Sequence, residues 1–535
     1  MRILLLSLSL ILSACAAGPA PQPPLPIQER AAAWWRHVEI LAADDMEGRR
    51  AGTPGYDRAA AYVVEQFRRI GLEPAGSDGF LQQVELEEQV IDNARSSAAL
   101  VADGGATPLR LPADMIVAAR TGPRAARTEA PLVFVGYGLH IPEAGHDDFA
   151  GIDLTGKIAV AVSGGPTEIS GALKSHARAD RARLLAQRGA AGLITISTPS
   201  AQESPWESAM ARASQPALYF GDRALRDVPD GFFTASFNPA EGEKLFARSG
   251  RAFAEVAALA DASAPVPSFA LNQQLRAEVA AERRRLTSPN IVARLPGSDR
   301  RLAQEHVVLT AHLDGLGVGE PVNGDAIHNG ALDNADGVAA LIGIAERMRR
   351  EGLRPRRSIL FLIVTAEESG LLGARYFSRR PTVPRAGLVA NLNYDMGLPI
   401  FPLTSVIALG AEQSSLGRDA AAVGGTMGLP LAPDPFPDRN SFIRSDQYAF
   451  IEQGVPALAF KFGFAAGTPE AELERAWRAT HYHRPSDDVA STPVHAEDAV
   501  RLHDFIGGLA LRVADAPERP RWNEDSFFRR FAAGR

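Results

Sequence analysis

Histidines and carboxylates follow several apolar segments of this chain at the point where each segment ends. His312 comes directly after the apolar run 306–311, and Asp314 lies two residues further on. A histidine in this place can bind a metal ion through one ring nitrogen, while Asp314 can bond the other nitrogen and fix the ring. A His-x-Asp pair is also common as a local hydrogen bond, so the pair by itself allows both interpretations.

Acidic side chains near the start of a helical pattern could add a bridging ligand. Asp325 lies in a glycine-rich loop, and Asp333, Asn334 and Asp336 come just before the helical pattern. The last three are suited to capping the N-terminus of the helix. One carboxylate of the group can also point into a site and bridge two metal ions, because capping and ligation can fall to different residues.

Two adjacent glutamates, Glu367 and Glu368, follow the apolar run 358–365. Neighbouring carboxylates repel each other unless a cation lies near, so their position after a buried strand favours a metal site. One glutamate can bind the metal while its neighbour, which points elsewhere, takes up the proton of an attacking water molecule.

The remaining candidate ligands lie later in the chain. Asp395 ends the apolar run 388–394, and a polar loop contains His481 and His483. Either histidine can be a ligand or a solvated surface residue. A set of two histidines and three carboxylates suits two divalent metal ions. Mixed imidazole and carboxylate ligation favours zinc, with manganese and cobalt as alternatives.

Other classes of function lose support. The chain has neither a His-Glu-x-x-His helix nor a Gly-x-Ser-x-Gly turn, which argues against single-zinc proteases and serine hydrolases. Its single cysteine, Cys15, lies in an apolar N-terminal segment, which excludes a cysteine nucleophile. A net charge of -7 gives no basic surface for nucleic acid, so we expect no nucleic-acid partner.

Strands that alternate with helical patterns must position these residues. Buried strands are expected at residues 290–295, 306–311, 358–365, 388–394 and 457–460. A long helical pattern from Val338 to Met348 lies between the second and third of these strands. This order predicts an α/β fold with a mostly parallel sheet covered by helices. Ligands bind such sheets beyond the carboxyl ends of the strands, where the candidate residues lie.

The order of these residues resembles family twenty-eight of the metallopeptidases, which includes bacterial aminopeptidases, glutamate carboxypeptidase and glutaminyl cyclase. The resemblance is carried by His312-x-Asp314, Leu332-Asp333-Asn334, Glu367-Glu368, Asp395 and Tyr482-His483. It implies that Asp333 bridges two metal ions. One ion would be held by His312 and Asp395, and the other by Glu368 and His483. The choice of His483 over His481 depends on the resemblance alone.

The resemblance also implies roles for residues that bind no metal. Glu367 would be the general base, Tyr482 would stabilise the oxyanion, and Asp446 would line the site. The peptide bond between Asp333 and Asn334 would be cis. The sequence departs from many relatives at three positions, which are occupied here by Gly315, Leu332 and Gln447. These departures leave the implied ligands intact and concern substrate preference.

The resemblance covers nearly the whole chain after the N-terminal segment and predicts a catalytic domain with an insertion. The catalytic domain would comprise residues 28–95 and 266–535. Residues 96–265, where apolar strands and a helical pattern also alternate, would form a smaller inserted α/β domain of the protease-associated type. Its motifs are the segments 135–138 and 153–157.

The first residues are typical of an export signal. Arg2 precedes the apolar run 3–12, which is followed by Ser13, Ala14 and Cys15. This string resembles a bacterial lipobox, so residues 1–15 would be a lipoprotein signal peptide and residues 16–27 a flexible tether. Ordinary signal cleavage is the alternative. We expect an exported protein of the bacterial cell envelope, anchored to the membrane by a lipid on Cys15 and facing the periplasm.

The predicted function is that of a metal-dependent exopeptidase that acts on peptide substrates. An aminopeptidase that releases N-terminal residues is the favoured member of this class. A glutaminyl cyclase-like transferase and a receptor-like binding protein on the same scaffold are the alternatives. The sequence leaves open the recognised end of the peptide, the preferred side chain and the oligomeric state.

Overall fold

The structure, a computed structural model, describes residues 22–119, 122, 126–202, 205–213, 215–491 and 493–532. The predicted signal peptide with Cys15 and residues 16–21 of the predicted tether lie outside the described residues. Within the described ranges, no helix has the length and apolar character needed to cross a membrane.

The described chain contains both helices and strands. The helices are α1 (Ile27–Leu41), α2 (Pro54–Ile70), α3 (Gly171–Gln187), α4 (Trp206–Ala213), α5 (Gly242–Phe246), α6 (Phe253–Asp261), α7 (Asp336–Arg350), α8 (Leu372–Arg379), α9 (Leu416–Met427), α10 (Gln447–Ile451), α11 (Pro469–Thr480) and α12 (Ala496–Asp515). The strands are β1 (Glu73–Pro74), β2 (Leu81–Ala102), β3 (Gly105–Leu109), β4 (Met115–Val117), β5 (Arg127–Val135), β6 (His140–Ile141), β7 (His146–Asp147), β8 (Ile158–Val162), β9 (Gly192–Ile196), β10 (Ala217–Phe220), β11 (Phe233–Phe237), β12 (Ser268–Leu295), β13 (His306–His312), β14 (Gly317–Val322), β15 (Asp325–His328), β16 (Ser358–Val364), β17 (Leu388–Tyr394), β18 (Val406–Leu409), β19 (Leu431–Ala432) and β20 (Ala457–Phe462).

Helix α2 illustrates how the local sequence sets the limits of an element. The Thr53 hydroxyl accepts a hydrogen bond from the amide of Tyr56 at 3.4 Å. Pro54 occupies the first turn, where its missing N–H leaves no hydrogen bond unmade. Gly71 ends the helix at a φ of 82°, a left-handed conformation that glycine adopts without steric strain.

A mostly parallel sheet forms the centre of the region with the candidate residues. Its strands run in the order β19, β18, β20, β17, β13, β16 and β12. Strand β13 is parallel to β16 and β17, and β17 is parallel to β20. Strands β12 and β18 are antiparallel to their neighbours β16 and β20. The predicted α/β fold with a mostly parallel sheet is therefore confirmed.

Helices cover both faces of this sheet because its central strands are apolar on both sides. In β16, Phe361 and Ile363 belong to the core shared with α1, α2, α7 and α12. Leu360 and Leu362, which point the opposite way, pack with residues of α8 and α10. Burial on both faces explains the continuous apolar runs seen in the sequence.

A second α/β region lies beside the first. Strands β5, β8, β9 and β11 are parallel neighbours, with α3 between β8 and β9 in the chain. Their side chains form two cores separate from that of the first sheet. The long strands β2 and β12 pair antiparallel and connect the two regions, and β12 also pairs with both β5 and β16. The limits at residues 96 and 265, and the protease-associated assignment, stay predictions.

Candidate metal centre

The parallel strands deliver three of the candidate segments to one edge of the sheet. His312, the last residue of β13, pairs with Val364, the last residue of β16. Asp395 directly follows β17, which is parallel to β13 on its other side. Glu367 and Glu368 begin three residues beyond the end of β16. Because parallel strands end at the same edge, residues far apart in the chain meet there.

The structure brings the five predicted ligands together in two groups that share Asp333. His312 Nε2 lies 3.3 Å from Asp333 Oδ1 and 3.6 Å from Asp395 Oδ1. His483 Nε2 lies 3.4 Å from Asp333 Oδ2 and 3.2 Å from Glu368 Oε2. Asp333 thus turns one carboxylate oxygen towards each histidine. This is the arrangement that a bridging carboxylate requires.

Charge in the centre favours bound cations. Burial would lower the pKa of His483, but hydrogen bonds to Asp333 and Glu368 raise it to about 10. Burial would raise the pKa of Asp333, yet its bonds to His312 and His483 hold that pKa well below the usual range. The carboxylates therefore favour protonated histidines. Divalent ions would replace these protons and bind the neutral imidazoles. Imidazole nitrogens and carboxylate oxygens fit zinc.

Asp314 connects two of the strand ends, although its carboxylate does not hold the His312 ring as the sequence suggested. His312 Nδ1 lies 3.0 Å from the backbone oxygen of Asp314 and 3.9 Å from its nearest carboxylate oxygen. The carboxylate instead accepts hydrogen bonds from the amides of Glu367 at 3.0 Å and Glu368 at 3.3 Å. Asp314 therefore orients the imidazole through its main chain and the two glutamates through its side chain.

The loop that carries Asp333 is held by a residue for which the sequence analysis gave no role. Asp487 accepts hydrogen bonds from the amides of Leu332 at 2.9 Å and Asp333 at 3.0 Å. The side-chain amide of Asn334 donates to the carbonyl of Tyr394 at 3.1 Å. The peptide bond between Asp333 and Asn334 is cis, as the resemblance implied. Its position in the polar loop after His483 was the only sign of Asp487 in the sequence.

Arg49, also unassigned from the sequence, holds the backbone around the centre. It is completely buried and donates to the carbonyls of Leu41, Leu313, Asn329 and Gly330. These bonds are 2.6 to 2.9 Å long. One side chain thus connects α1 with the loops after β13 and β15. Arg49 lies in the segment 45–55, which looks like the N-terminal segment of the family, and this was its only signal in the sequence.

Glu367 and Asp446 are further acids of the centre. Burial raises the pKa of Glu367 well above its ordinary value, and Glu368, Asp446 and Asp395 raise it further against the opposing effect of His312. Both carboxylate oxygens of Asp446 are buried without a hydrogen-bond partner among the described residues. A raised pKa suits a group that must take up and release a proton.

The two histidines of the polar loop differ in placement. The Tyr482 ring stacks on His483, with ring centres 3.8 Å apart, so both residues belong to the centre. The His481 ring stacks on Trp477 at 5.9 Å, and its Nδ1 lies 2.7 Å from the Thr480 hydroxyl. Within the described residues, His481 is in neither ligand group.

The other acids considered in the loop before α7 have local roles. Asp325 Oδ1 accepts a hydrogen bond from the amide of Ile327 at 3.0 Å. Asp336 is buried, and its carboxylate lies 3.4 Å from the Tyr394 hydroxyl. Of this group of acids, only Asp333 joins the ligand groups of the described chain.

Comparisons with known proteins agree with this fold. Residues 290–503 match Peptidase family M28. The chain is similar to an aminopeptidase from Aneurinibacillus sp. strain AM-1, with 20% identity, a TM-score of 0.53 and coverage of 92% of this chain and 96% of that one. Leupeptin-inactivating enzyme 1 of Streptomyces exfoliatus is 32% identical over 111 residues, which are 21% of this chain and 23% of that protein. A vacuolar membrane protease of Candida dubliniensis is 31% identical over 105 residues, or 20% of this chain and 10% of that protein.

These similarities differ in the part of the chain and the property that they concern. The likeness to the Aneurinibacillus aminopeptidase concerns the fold. The matched segments span less than a quarter of the length of the two curated relatives. The matched range, residues 290–503, contains all five predicted metal ligands. The part of the chain that carries the candidate ligands therefore matches Peptidase family M28.

Proposed function

We propose that the chain is a metal-dependent exopeptidase that releases N-terminal residues from peptides. The observation that carries this proposal is the placement of Asp333, which directs one oxygen towards His312 and the other towards His483. Each histidine has a second carboxylate neighbour, Asp395 or Glu368. Such a double ligand set is suited to two zinc ions.

The two ions, when bound, would polarise the scissile carbonyl group and acidify the attacking water. Glu367 is the group of this chain that accepts the water proton, since its pKa is raised by burial and by neighbouring carboxylates. It then donates that proton to the amine that leaves as the carbon–nitrogen bond breaks. Asp314 keeps Glu367 in place through the hydrogen bond from the Glu367 amide.

Tyr482 is the proposed donor to the oxyanion that develops on the carbonyl oxygen. Its ring stacks on His483, so it lies next to the proposed ligands. Burial raises the pKa of Tyr482 well above its ordinary value, which keeps the hydroxyl protonated and able to donate.

Replacement of Glu367 tests the mechanism. We expect Glu367→Ala to lower kcat about 10²- to 10⁴-fold, because the proton acceptor is removed while the ligands remain. Turnover of aminoacyl amides and of C-terminal dipeptides should be measured on metal-stripped and zinc-restored protein, with zinc content as the control. Near-normal turnover by the zinc-loaded variant would remove Glu367 from the mechanism.

The same substrates separate the alternatives. Release of ammonia from a peptide with an N-terminal glutamine would favour a glutaminyl cyclase-like transferase. Zinc and peptide binding without any turnover would favour a receptor-like protein. Loss of activity on removal of metal, with recovery on addition of zinc, is the result expected of the peptidase.

We also propose that the protein is exported to the bacterial cell envelope and anchored by a lipid on Cys15. Support comes from the sequence Leu12-Ser13-Ala14-Cys15 after an apolar run. Cys15→Ala should move the protein from the membrane fraction to the soluble fraction, because the lipidated residue is lost. Cell fractionation with immunodetection measures this, and an unlipidated wild-type protein in the soluble fraction would favour ordinary signal cleavage.

A further inference from the structure

A pocket lies beside the metal centre. Its walls come from β20, from α11, and from the segments that follow Asp395 and precede α10. The residues that line it are Gly397, Leu398, Phe401, Ile407, Leu409, Asp434, Pro435, Phe436, Arg439, Ser441, Lys461, Phe462, Phe464, Glu474 and Arg478.

The strand register places the pocket next to a proposed ligand. Strands β17 and β20 are parallel, and Tyr394 pairs with Phe460. The residues that follow this pair are Asp395 and Lys461. The carboxylates of Asp395 and Asp333 both act electrostatically on Lys461. A peptide whose scissile bond lies at the metal centre can therefore extend an adjacent group into the pocket.

Most of the charged groups in the pocket are already engaged. Glu474 Oε1 accepts hydrogen bonds from Arg478 and, at 2.8 Å, from Arg439. Asp434 Oδ1 accepts a hydrogen bond from the amide of Phe436 at 2.9 Å. The Arg439 guanidinium also lies 4.0 Å from the centre of the Phe436 ring. These contacts fix the two arginines in the wall.

Lys461 differs from the arginines. Among the residues that the structure describes, its ammonium group has no hydrogen-bond or ion-pair partner. Burial lowers the pKa of Lys461 to about 8, so the group is still mostly charged at pH 7. The lining has three cationic side chains and two carboxylates, so positive charge is in excess. Among the described residues, Lys461 is the cation of this lining that has no ion-pair partner. The Lys461 side chain is partly buried, and an anionic ligand would pair with its charge.

We propose that this pocket binds a carboxylate group of the peptide substrate through Lys461. The proposal rests on the peptidase function proposed above. The aromatic rings of Phe401, Phe436 and Phe464 provide apolar contact for the methylene groups that lead to the carboxylate. The carboxylate belongs either to an acidic side chain of the residue next to the scissile bond or to the free C-terminus of the peptide.

Isosteric substrates distinguish these two sources on the zinc-loaded enzyme. An N-terminal Glu amide is compared with the Gln amide, and an N-acylated dipeptide with a free C-terminus is compared with its C-terminal amide. We expect wild type to favour the carboxylate member of one pair about 10- to 100-fold in kcat/KM. In Lys461→Met this ratio should fall at least about tenfold, and in Lys461→Glu the amide should be favoured.

Lys157→Met is the matched control. Lys157 bonds the Asp153 carbonyl at 2.8 Å, outside the pocket lining, so the substrate ratios should stay at their wild-type values. Equal kcat/KM within both pairs for the wild type would overturn the proposal. An unchanged ratio in Lys461→Met would overturn it as well.

Binding of glutarate, measured by calorimetry on the zinc-loaded protein, tests the pocket without turnover. Lys461→Met should weaken this binding at least about tenfold relative to wild type and to Lys157→Met. Equal affinity in all three proteins would overturn the pocket proposal even if peptides are cleaved. Loss of glutarate binding in a protein that cleaves no peptide would support the pocket and contradict the peptidase function.

Discussion

His481 and His483 lie two positions apart in the chain, yet their rings face different surroundings. His483 Nε2 is within 3.4 Å of the carboxylates of both Asp333 and Glu368. His481 is directed to Thr480 and Trp477 instead. His483 has a positive φ of 58°, which turns the chain sharply between the two residues. The same loop therefore offers one histidine to the centre and keeps the other in a local contact.

This difference predicts opposite results for two alanine variants. His483→Ala should weaken zinc binding by more than the roughly 10- to 100-fold typical for loss of a supporting contact, because a proposed ligand is lost. His481→Ala should keep wild-type zinc affinity and turnover. Zinc titration with a chelating indicator measures both. Equal zinc affinity of His483→Ala and wild type would refute the ligand assignment.

The elements that carry the centre end in loops, and these loops depend on contacts with distant segments. Arg49 bonds the carbonyls of four residues in three segments, and Asp487 bonds two amides of the loop before α7. Gly48 fits between these segments, since a Cβ at this position would lie 2.6 Å from the carbonyl oxygen of His328. The strand ends are thus positioned by side-chain and backbone contacts outside the strands.

Loss of Arg49 should destabilise the fold. Arg49→Met keeps most of the side-chain volume but leaves four buried carbonyls without their donor, so the free energy of unfolding should fall by about 3 kcal/mol or more. Arg68→Met is the control, because Arg68 forms an exposed ion pair with Glu65 and its loss should change stability by less than about 1 kcal/mol. Urea denaturation measures both variants. Equal stability of the two variants would contradict the role given to Arg49.

In the whole molecule, the paired strands β2 and β12 connect the two α/β regions. Several histidines are buried in this molecule away from the metal centre. His503 of α12 lies with its ring centre 5.5 Å from those of Trp34 and Tyr394. Its Nε2 has no hydrogen-bond partner among the described residues. Burial lowers the pKa of His503 to about 3, while His37 and His306 are lowered to about 4. The folded protein therefore keeps these rings neutral.

Neutral buried histidines predict a loss of stability in acid. The unfolded chain binds a proton at His503 below about pH 6.5, whereas the folded chain binds it only near pH 3, so stability falls as the pH decreases between these values. In His503→Phe, the loss of unfolding free energy between pH 7.5 and pH 5 should be about 2 kcal/mol smaller than in wild type. Urea denaturation at both pH values gives the two differences. Identical differences would show that His503 does not contribute.

Much of the architecture follows from the sequence alone. Strands buried on both faces must be apolar throughout, so the runs before His312, Glu367 and Asp395 predict a helix-covered parallel sheet. Because parallel strands end at one edge, the same pattern predicts that these residues meet. The order of the motifs then indicates a resemblance to metallopeptidase family twenty-eight, and residues 290–503 match Peptidase family M28.

The tertiary structure alone decided the details of the centre. The placement of His483, the two roles of Asp314 and the supports from Arg49 and Asp487 depend on contacts between segments far apart in the chain. The unpaired Lys461 became visible only when its neighbours in space were known. The local sequence pattern indicates which face of a helix or strand is buried. The conformation of a loop and the pairing of its charges depend on the distant residues that pack against that loop.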